Sequence, residues 1–403
     1  MDNQTSDYFP PPRDKRHPFD PPADLLRRQR EQPVSKMQIW DGTSAWVITR
    51  YEDGRAALSD DRFSADPRRP GFPEKNLAYV NTIGKDRNIR VLDNPEHDIQ
   101  KRMMVRDFTV KRVEEIRPYV QKIVNDIIDN MLAKGPPVDL VAELAVTLPT
   151  MVICELLGVP YENRDFFGER ARTLLGTGTS DEAVIAGNEL NKFLEGLVDL
   201  KIKSPANDLI SRLVHEQVLV GNLERSTLIS LCRLLLVAGH KTTAGMIGLG
   251  TLLLLQHPEA AADIRNTDDP KFIGNAVDEM LRYLGTLHAG RRRVAIADVE
   301  IGGQLIRAGE GIIVLNNVMD RDETIYQDAA KFDLRRPNAR SNVAFGYGIH
   351  QCPGQQLARM ELSVVHSTLW KRIPNLRLAA KAEDLRFEEI GSSYEVSSLP
   401  VAW

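Results

Sequence analysis

The helical pattern that runs from about Val110 to Leu255 constrains the fold of this 403-residue chain more than any other feature. Apolar residues recur there at spacings of three and four, as in KRVEEIRPYVQKIVNDIIDNML, and this periodicity predicts amphipathic helices. Prolines such as Pro149 and Pro205 divide the region into several helices. The stretch from Leu228 onward is nearly all apolar, but charged side chains interrupt it, which favours a long buried helix over a membrane span.

The flanking regions predict an extended arm, short strands and one more long helix. Six prolines among residues 1–22 exclude regular helix, so this arm is expected to be extended. Two β-rich runs surround Asp41-Gly42, a hairpin signal. After Gly285 the chain favours strands and loops, until PGQQLARMELSVVHSTLWKRI predicts a long helix and the last thirty residues predict strands and turns. We therefore expect a mainly α fold with small β-sheets, in which residues 23–403 form a single domain.

Composition excludes several classes of partner. The net charge of −4 argues against a polyanion-binding surface, so nucleic acid is not an expected partner. Three cysteines in so long a chain are too few for a disulfide framework and favour a reducing compartment. The polar, proline-rich start of the chain has neither the apolar core of a secretion signal nor a membrane anchor. These features predict a soluble, cytoplasmic protein that does not bind membranes.

The segment from Ala344 to Gly354 carries the strongest chemical signal. It holds two glycines two positions apart and Cys352, and a predicted helix follows immediately. A helix N-terminus carries positive partial charge, which lowers the pKa of a nearby thiol and stabilises its thiolate. A lone thiolate in such a loop suits a single axial bond to haem iron. Cys154 and Cys232 lack this setting and are expected to be small buried apolar residues.

This loop resembles the haem-binding signature of the cytochromes P-450, F-G-x-G-x-H-x-C-x-G, and matches it at every specified position. The resemblance covers nearly the whole chain and is greatest to soluble actinomycete members. It implies haem b (iron protoporphyrin IX), held between an oxygen-activation helix and the cysteine-loop helix of a triangular, α-rich fold. Cys352 would be the proximal thiolate ligand, Phe345 would pack near the sulfur, and His350 would bind a haem propionate. The resemblance also implies that Gly354, the last residue of the motif, would contact the cofactor.

A second match is the E-x-x-R element formed by Glu279 and Arg282. Residues three apart share a helix face and can pair, although an exposed pair would contribute little to stability. In the family, this element and an arginine, here Arg336 in FDLRR, would form a buried triad that holds the cysteine loop. The resemblance therefore gives these residues a structural role in folding and haem retention.

A third match lies in LLLVAGHKTTAG. Ala238, Gly239 and Thr242 lie on one side of the predicted helix, where small residues beside a hydroxyl leave a groove for a diatomic ligand. Thr242 could bond its own helix backbone or reach that ligand. The family pattern A-G-x-[D/E]-T-T implies that this is the oxygen-activation helix and that Thr242 helps to deliver protons. Lys241 replaces the family's acid: it could form a salt bridge elsewhere, relay protons with a lowered pKa, or accompany a different chemistry.

The propionate-binding residues of the family have further counterparts. His97 in LDNPEHDIQKRMM matches, and Lys101 stands where an arginine is usual, so a cation is kept without its bidentate fork. Arg293 in RRVAIAD matches another propionate-binding arginine. Of the three consecutive arginines 291–293, the resemblance favours only Arg293 for the haem.

The resemblance also implies a distal substrate pocket and separate redox partners. The pocket would be walled by the loop Phe72–Arg90, the oxygen helix, Leu284–Gly290 and a turn at Tyr394–Val396. The candidate pocket residues are Leu235, Ala238, Leu287, His288 and Val396. No G-x-G-x-x-G follows a strand, so electrons are expected from a ferredoxin and its reductase, with NAD(P)H as the ultimate donor. The basic residues that could dock an acidic partner are Arg106, Lys111, Arg112 and Arg359.

The leading hypothesis is a monomeric haem–thiolate monooxygenase that hydroxylates a small natural product or xenobiotic. One alternative couples or desaturates an aromatic or cyclic-peptide substrate through radicals. Another is an enzyme similar to nitric oxide reductase, since that branch of the family also lacks the acid before the threonine. A haem carrier or sensor without turnover is the remaining alternative, and the intact Thr242 argues against it.

Overall fold

The computed structural model describes residues 7–75, 88–173, 180–390 and 393–403, which group into two compact units. Helices and strands are numbered here along these described residues. The first unit comprises the described parts of Met1–Asp98, Asp268–Cys352 and Phe387–Glu395, and the second those of Ile99–Thr267, Pro353–Arg386 and Val396–Trp403.

Helices dominate the described residues, as the sequence predicts. Residues 7–22 contain no helix, and the first helix begins at the residue after Pro22. The helices are α1 Ala23–Glu31, α2 Tyr51–Ser59, α3 Glu96–Val105, α4 Val110–Lys134, α5 Thr147–Leu157, α6 Arg164–Arg172, α7 Ser180–Lys203, α8 Leu209–Leu213, α9 Arg225–Gln256, α10 Pro258–Arg265, α11 Pro270–Leu284, α12 Asn316–Met319 and α13 Gln355–Arg372.

The strands are short and form small sheets. They are β1 Val34–Gln38, β2 Ser44–Ile48, β3 Phe63–Ser64, β4 Val138–Asp139, β5 Arg291–Ala295, β6 Val299–Ile301, β7 Gln304–Ile306, β8 Gly311–Val314, β9 Arg377–Leu378, β10 Phe387–Ile390, β11 Ser393–Val396 and β12 Pro400–Ala402.

The first unit is built on a five-stranded sheet in the order β1-β2-β8-β5-β3. The predicted hairpin is confirmed: β1 and β2 are antiparallel, and Gln38 pairs with Ser44 across the Asp41-Gly42 turn. Two neighbouring residues of β8, Ile312 and Ile313, belong to two different clusters of buried apolar side chains. Since successive strand side chains point to opposite faces, this sheet is buried on both sides. It supplies a rigid support for the loops that follow its strands.

The second unit is mainly helical and contains a three-stranded sheet in the order β4-β12-β9. The long helix α9 packs against α5 and α13, and α4 packs along α13. Thr109 caps α4, because its hydroxyl accepts a hydrogen bond from the Arg112 amide. Helix α9 is buried all round from Thr243 to Leu254, which is why its sequence there is almost wholly apolar. The sequence prediction of one long buried helix is therefore confirmed.

Two further observations bear on the sequence predictions. In the parts of the chain that the structure describes, no helix combines the length and the apolar character needed to cross a bilayer. The turn expected at Tyr394–Val396 is wrong, because these residues belong to strand β11, which pairs with β10. The pairing partner lies earlier in the chain and satisfies the backbone groups that a turn would have left exposed.

Candidate active site

The cysteine loop, defined here as residues 344–352 of the first unit, is closed by its own backbone. The Cys352 amide donates to the Phe345 carbonyl at 2.9 Å, and the Gly346 amide donates to the Val343 carbonyl at 2.8 Å. The side chains of Cys352 and Phe345 are half-buried. The loop therefore holds an accessible thiol at its end.

Glycine is required inside this loop. Gly348 has a φ of 72°, in the left-handed region, and a Cβ built there would lie 2.1 Å from the carbonyl oxygen of Leu58. A side chain at this position would displace either the loop or the end of α2. The second glycine of the motif thus lets the loop pack directly on the backbone beside it.

The other two cysteines are not candidates for cofactor binding. Cys154 and Cys232 are fully buried, and burial raises the pKa of each thiol to about 12. A thiol with so high a pKa stays protonated at neutral pH, whereas the thiolate is the form that binds metals. Both match the expectation of small buried residues.

The structure brings Glu279, Arg282 and Arg336 together in the first unit. Arg282 donates to both Glu279 carboxylate oxygens, at 2.7 and 2.8 Å, and Arg336 donates from Nε to the same pair at 3.1 and 3.2 Å. The side chains of Glu279 and Arg282 are 0% exposed. This is therefore a shared, fully desolvated ion triad and not the exposed surface pair that spacing alone would suggest.

The triad is linked to the cysteine loop through Asp320, which sequence analysis missed. Arg282 donates to the Asp320 carbonyl at 2.8 Å, and Asp320 Oδ1 accepts from the Val343 amide at 2.8 Å. The Val343 carbonyl accepts from the Asn316 side chain. Burial raises the pKa of Asp320 to about 8. No sequence motif marks Asp320, because its burial depends on packing between segments far apart in the chain.

Three of the propionate-binding candidates lie in the first unit. The imidazole rings of His97 and His350 have centroids 4.3 Å apart. His97 is buried, and its Nδ1 lies 3.3 Å from an Asp98 carboxylate oxygen. Arg293 on β5 is also buried and donates to the Arg292 carbonyl at 2.7 Å. Burial lowers the Arg293 pKa to about 10, so the guanidinium remains charged at neutral pH.

The other two cofactor candidates belong to the second unit. Lys101 lies four residues after His97 on α3 and is half-buried. Gly354 occupies the position directly before α13. The structure thus distributes the sequence-predicted haem contacts over both units.

In the second unit, α9 is open to solvent beside its threonine. Ala238 is exposed, and Gly239, Lys241 and Thr242 are half-buried, although the next two turns of the helix are buried. The Thr242 hydroxyl donates to the Ala238 carbonyl at 2.8 Å, so the helix-backbone alternative is the one observed. A Cβ at Gly239 would make only an ordinary contact, 3.6 Å from Ile153. The solvent-exposed part of α9 therefore includes Ala238 and Thr242, as expected for a surface that faces a ligand.

The pocket candidates fall into two sets. Leu287 and His288 lie in the first unit, where Leu287 bridges to Ser393 and the Tyr394 amide donates to the Thr286 carbonyl. Burial, and then nearby cations, lower the His288 pKa to about 3, which leaves its imidazole neutral. The second set lies in the second unit and consists of Leu235, Ala238 and Val396. Of the expected loop Phe72–Arg90, residues 76–87 lie outside the described part of the chain.

The basic docking candidates are less available than their sequence suggests. Arg106 pairs with Glu216 at 3.1 Å, and Arg112 pairs with Glu115 at 2.7 Å. Together with Lys111 they line a surface cleft of about 590 Å³ that also contains carboxylates. The last candidate, Arg359, donates to Gln355 on its own helix. This surface carries charges of both signs, so docking of an acidic partner there stays a prediction.

Comparison with known proteins agrees with the motifs. Residues 186–373 match the family model of cytochrome P-450. The chain is 44% identical over 98% of its length, and 96% of the relative's, to cytochrome P-450 CYP105Q4 of Mycobacterium marinum. It is 42% identical, over 93% of its length and 95% of the relative's, to the mycinamicin VIII C21 methyl hydroxylase of Micromonospora griseorubida. The crystal structure of cytochrome P-450 MoxA from Nonomuraea recticatena superposes with a TM-score of 0.92 at 41% identity, covering 98% of both chains. The chain therefore belongs to the cytochrome P-450 family.

Proposed function

We propose that this monooxygenase hydroxylates a small natural product or xenobiotic with dioxygen and two electrons from a ferredoxin and its reductase. The observation that carries the proposal is the half-buried Cys352 thiol at the end of a loop that its own backbone and glycines shape. Family membership implies haem–thiolate iron and redox partners. A relative named as a methyl hydroxylase supports hydroxylation as the reaction.

The residues of the first unit fit haem b. Cys352 would supply the single thiolate that binds the iron, and His97, His350 and Arg293 would supply hydrogen-bond donors and positive charge to the propionates. Bound haem supplies dioxygen activation and one-electron chemistry, which no protein side chain can provide. The protein's contribution is the position of the thiolate and the charges that surround the cofactor.

Thr242 is the residue we assign to proton delivery. Its hydroxyl has one proton and two lone pairs, and here the proton points to the Ala238 carbonyl. A lone pair is then left for the open side of α9, where Thr242 can accept from water. To donate outward, the hydroxyl must rotate away from the carbonyl, and that water can then replace its proton. Neither step requires the carboxylate that Lys241 replaces.

The pocket candidates favour a predominantly apolar substrate. Leu235, Leu287 and Val396 are hydrocarbon side chains, and His288 is neutral because burial and cations hold its pKa to about 3. Apolar walls with few polar groups are usual for drug-sized ligands and exclude water during oxidation. We propose Ala238 and Gly239 as the positions where a methyl group and a missing side chain leave room for dioxygen.

The remaining assignments follow from the same proposal. Residues 23–403 act as a single catalytic domain after the arm 1–22, since the matched family segment includes residues from both units. The protein acts as a monomer in the cytoplasm, where its three cysteines, which form no disulfide, are chemically suited to a reducing environment.

The proposal is tested first at Cys352. Cys352→Ala should abolish the reduced carbon-monoxide band typical of thiolate haem, whereas the matched Cys154→Ala should keep it. Survival of the band in Cys352→Ala would disprove the assignment of Cys352 as the iron ligand. Products formed with isotopically labelled dioxygen then test the reaction, because hydroxylation places one labelled atom in the product.

The alternative of oxidative coupling or desaturation is favoured by one observation. Lys241 is half-buried on the open part of α9 where the family has an acid, and a charged ammonium cannot accept a proton. If proton delivery is restricted, a substrate can be oxidised by loss of electrons and protons without gaining oxygen. An oxidised product that lacks the oxygen label would support this alternative and overturn hydroxylation.

A further inference from the structure

The three consecutive arginines of β5 do not share one environment. Successive residues of a strand point to opposite faces, so Arg291 and Arg293 lie on one face and Arg292 on the other. Arg292 confirms this alternation, because its Nη1 donates to the carbonyls of Pro73 and Glu74 at 2.6 and 2.7 Å. The family resemblance singled out only Arg293. The strand geometry places Arg291 beside it.

Arg291 lies against the cysteine loop. A Cβ built on Gly346 would be 3.4 Å from both Nε and Nη2 of Arg291. Gly346 also has a φ of 79°, a conformation that glycine adopts without strain. The Arg291 guanidinium therefore lies within van der Waals range of a Cβ position on the loop, beside the backbone of Gly346.

The Arg291 guanidinium is short of partners within the protein. Its Nε is buried and has no hydrogen-bond partner among the described residues. Burial lowers the pKa of Arg291, whereas the negative charge of a Cys352 thiolate raises it. The neighbouring Arg293 has its own pKa lowered by burial and then by Arg291. Two desolvated like charges side by side are costly unless an anion accompanies them.

We propose that Arg291 is a positioning residue of the haem–thiolate centre, whose charge, held on the cysteine loop, raises the reduction potential of the iron. This inference rests on the proposed haem–thiolate function. Reduction adds one negative charge to the centre, and a positive charge nearby stabilises the reduced form more than the oxidised form. The protein interior screens this attraction less than water does.

The consequence concerns electron entry. A higher potential makes reduction by a ferredoxin more favourable, and Arg291 supplies this effect from the protein without touching the substrate. The guanidinium stays charged throughout the physiological range, so the effect is constant and does not switch with pH.

The test measures the reduction potential of the holoenzyme without substrate, by spectroelectrochemical titration. Arg291→Gln and Arg291→Met remove the charge, and Arg291→Lys retains it. Arg292→Gln is the matched control, because it removes one charge from the opposite face of the same strand. We expect both neutral variants to reduce about tenfold less favourably than wild type, a fall of about 59 mV for one electron. Arg291→Lys and Arg292→Gln should shift by less than a third of this amount.

An unchanged or higher potential in the neutral variants would overturn the inference, as would an equal fall in Arg292→Gln. If the neutral variants do not retain haem, haem content is compared instead. Retention of haem by Arg291→Lys then supports a role of the charge. Loss of haem from Arg291→Lys shows that Arg291 acts through packing and overturns the inference. The reduced carbon-monoxide band of the wild type is recorded first. Its absence there would refute the proposed function itself, independently of Arg291.

Discussion

Replacing Glu279 by glutamine removes the negative charge that two buried guanidinium groups share, with almost no change in shape. Arg282 and Arg336 both donate to this carboxylate, so its replacement leaves two buried cationic groups without their shared counter-charge. Removing one partner of a buried ion pair costs about 3–5 kcal/mol, because an uncompensated charge is left in a low-dielectric interior. We expect the free energy of unfolding to fall by this amount.

The expected change in melting temperature follows from the size of the chain. Unfolding entropy is about 2.1 cal/mol/K per residue, so 403 residues give roughly 0.8 kcal/mol/K. A loss of 3–5 kcal/mol should therefore lower Tm by roughly 4–6 °C. Since Arg282 also holds the Asp320 carbonyl, and Asp320 holds the start of the cysteine loop, haem should dissociate faster from the variant.

Differential scanning calorimetry of the haem-loaded protein and haem transfer to an acceptor protein measure these two effects. Asp126→Asn is the control, because Asp126 pairs with Lys122 at 2.5 Å on the surface, where both side chains are more than half exposed. Such a pair contributes at most about 1 kcal/mol, so its loss should lower Tm by roughly 1 °C or less. If Glu279→Gln melts no lower than Asp126→Asn, the triad does not stabilise the fold as argued.

Three further predictions address catalysis, potential and pH. Thr242→Ala should strongly reduce the product formed per electron consumed, while Lys241→Ala retains substantial coupling; the reverse result would make the lysine the proton relay. Pro353 has no N–H, so Pro353→Leu adds a possible donor to the sulfur and should raise the iron reduction potential in a spectroelectrochemical titration. A fall or no change would show that this amide does not reach the sulfur. Burial raises the pKa of Glu361 to about 8, so the folded protein keeps a proton that the unfolded chain loses near pH 4.5. The free energy of unfolding should therefore fall as pH rises from about 5 to 8. Glu361→Gln should flatten that decline in pH-dependent thermal unfolding, and an unchanged slope would exclude Glu361 as its source.

The parts of the site that local sequence encodes could be predicted. The loop that carries Cys352 has its glycines, its cysteine and its following helix within a few residues, so one motif contains them all. Glu279 and Arg282 are three apart on α11, where helix geometry alone allows them to pair. Arg336 could be added only through the family resemblance, because nothing local brings it to Glu279.

The parts that depend on distant segments could not be predicted. Which β5 arginine faces the cysteine loop depends on the strand's register in the sheet, and a run of three identical residues gives no sign of it. The burial of Asp320 results from packing against Val343 and Arg282, neither of which is near it in sequence. Tyr394–Val396 were expected to turn, but pairing with β10 makes them a strand. For Asp320 and the β5 arginines the deciding partner is remote in the chain, whereas β10 is a near neighbour of β11 in sequence.

The hydrogen bonds that shape the cysteine loop are all supplied by the polypeptide, which bears on how the cofactor is acquired. Asp320 and Asn316 fix Val343, and the Cys352 amide closes on Phe345, so these bonds can form before any cofactor arrives. Ordering the backbone of a residue costs about 1–2 kcal/mol, and for this loop the cost is met during folding of the first unit. Haem would then meet a preorganised loop, and more of its intrinsic binding energy would be expressed as affinity. We therefore expect the protein to bind haem more tightly than a chain whose cysteine loop becomes ordered only on binding.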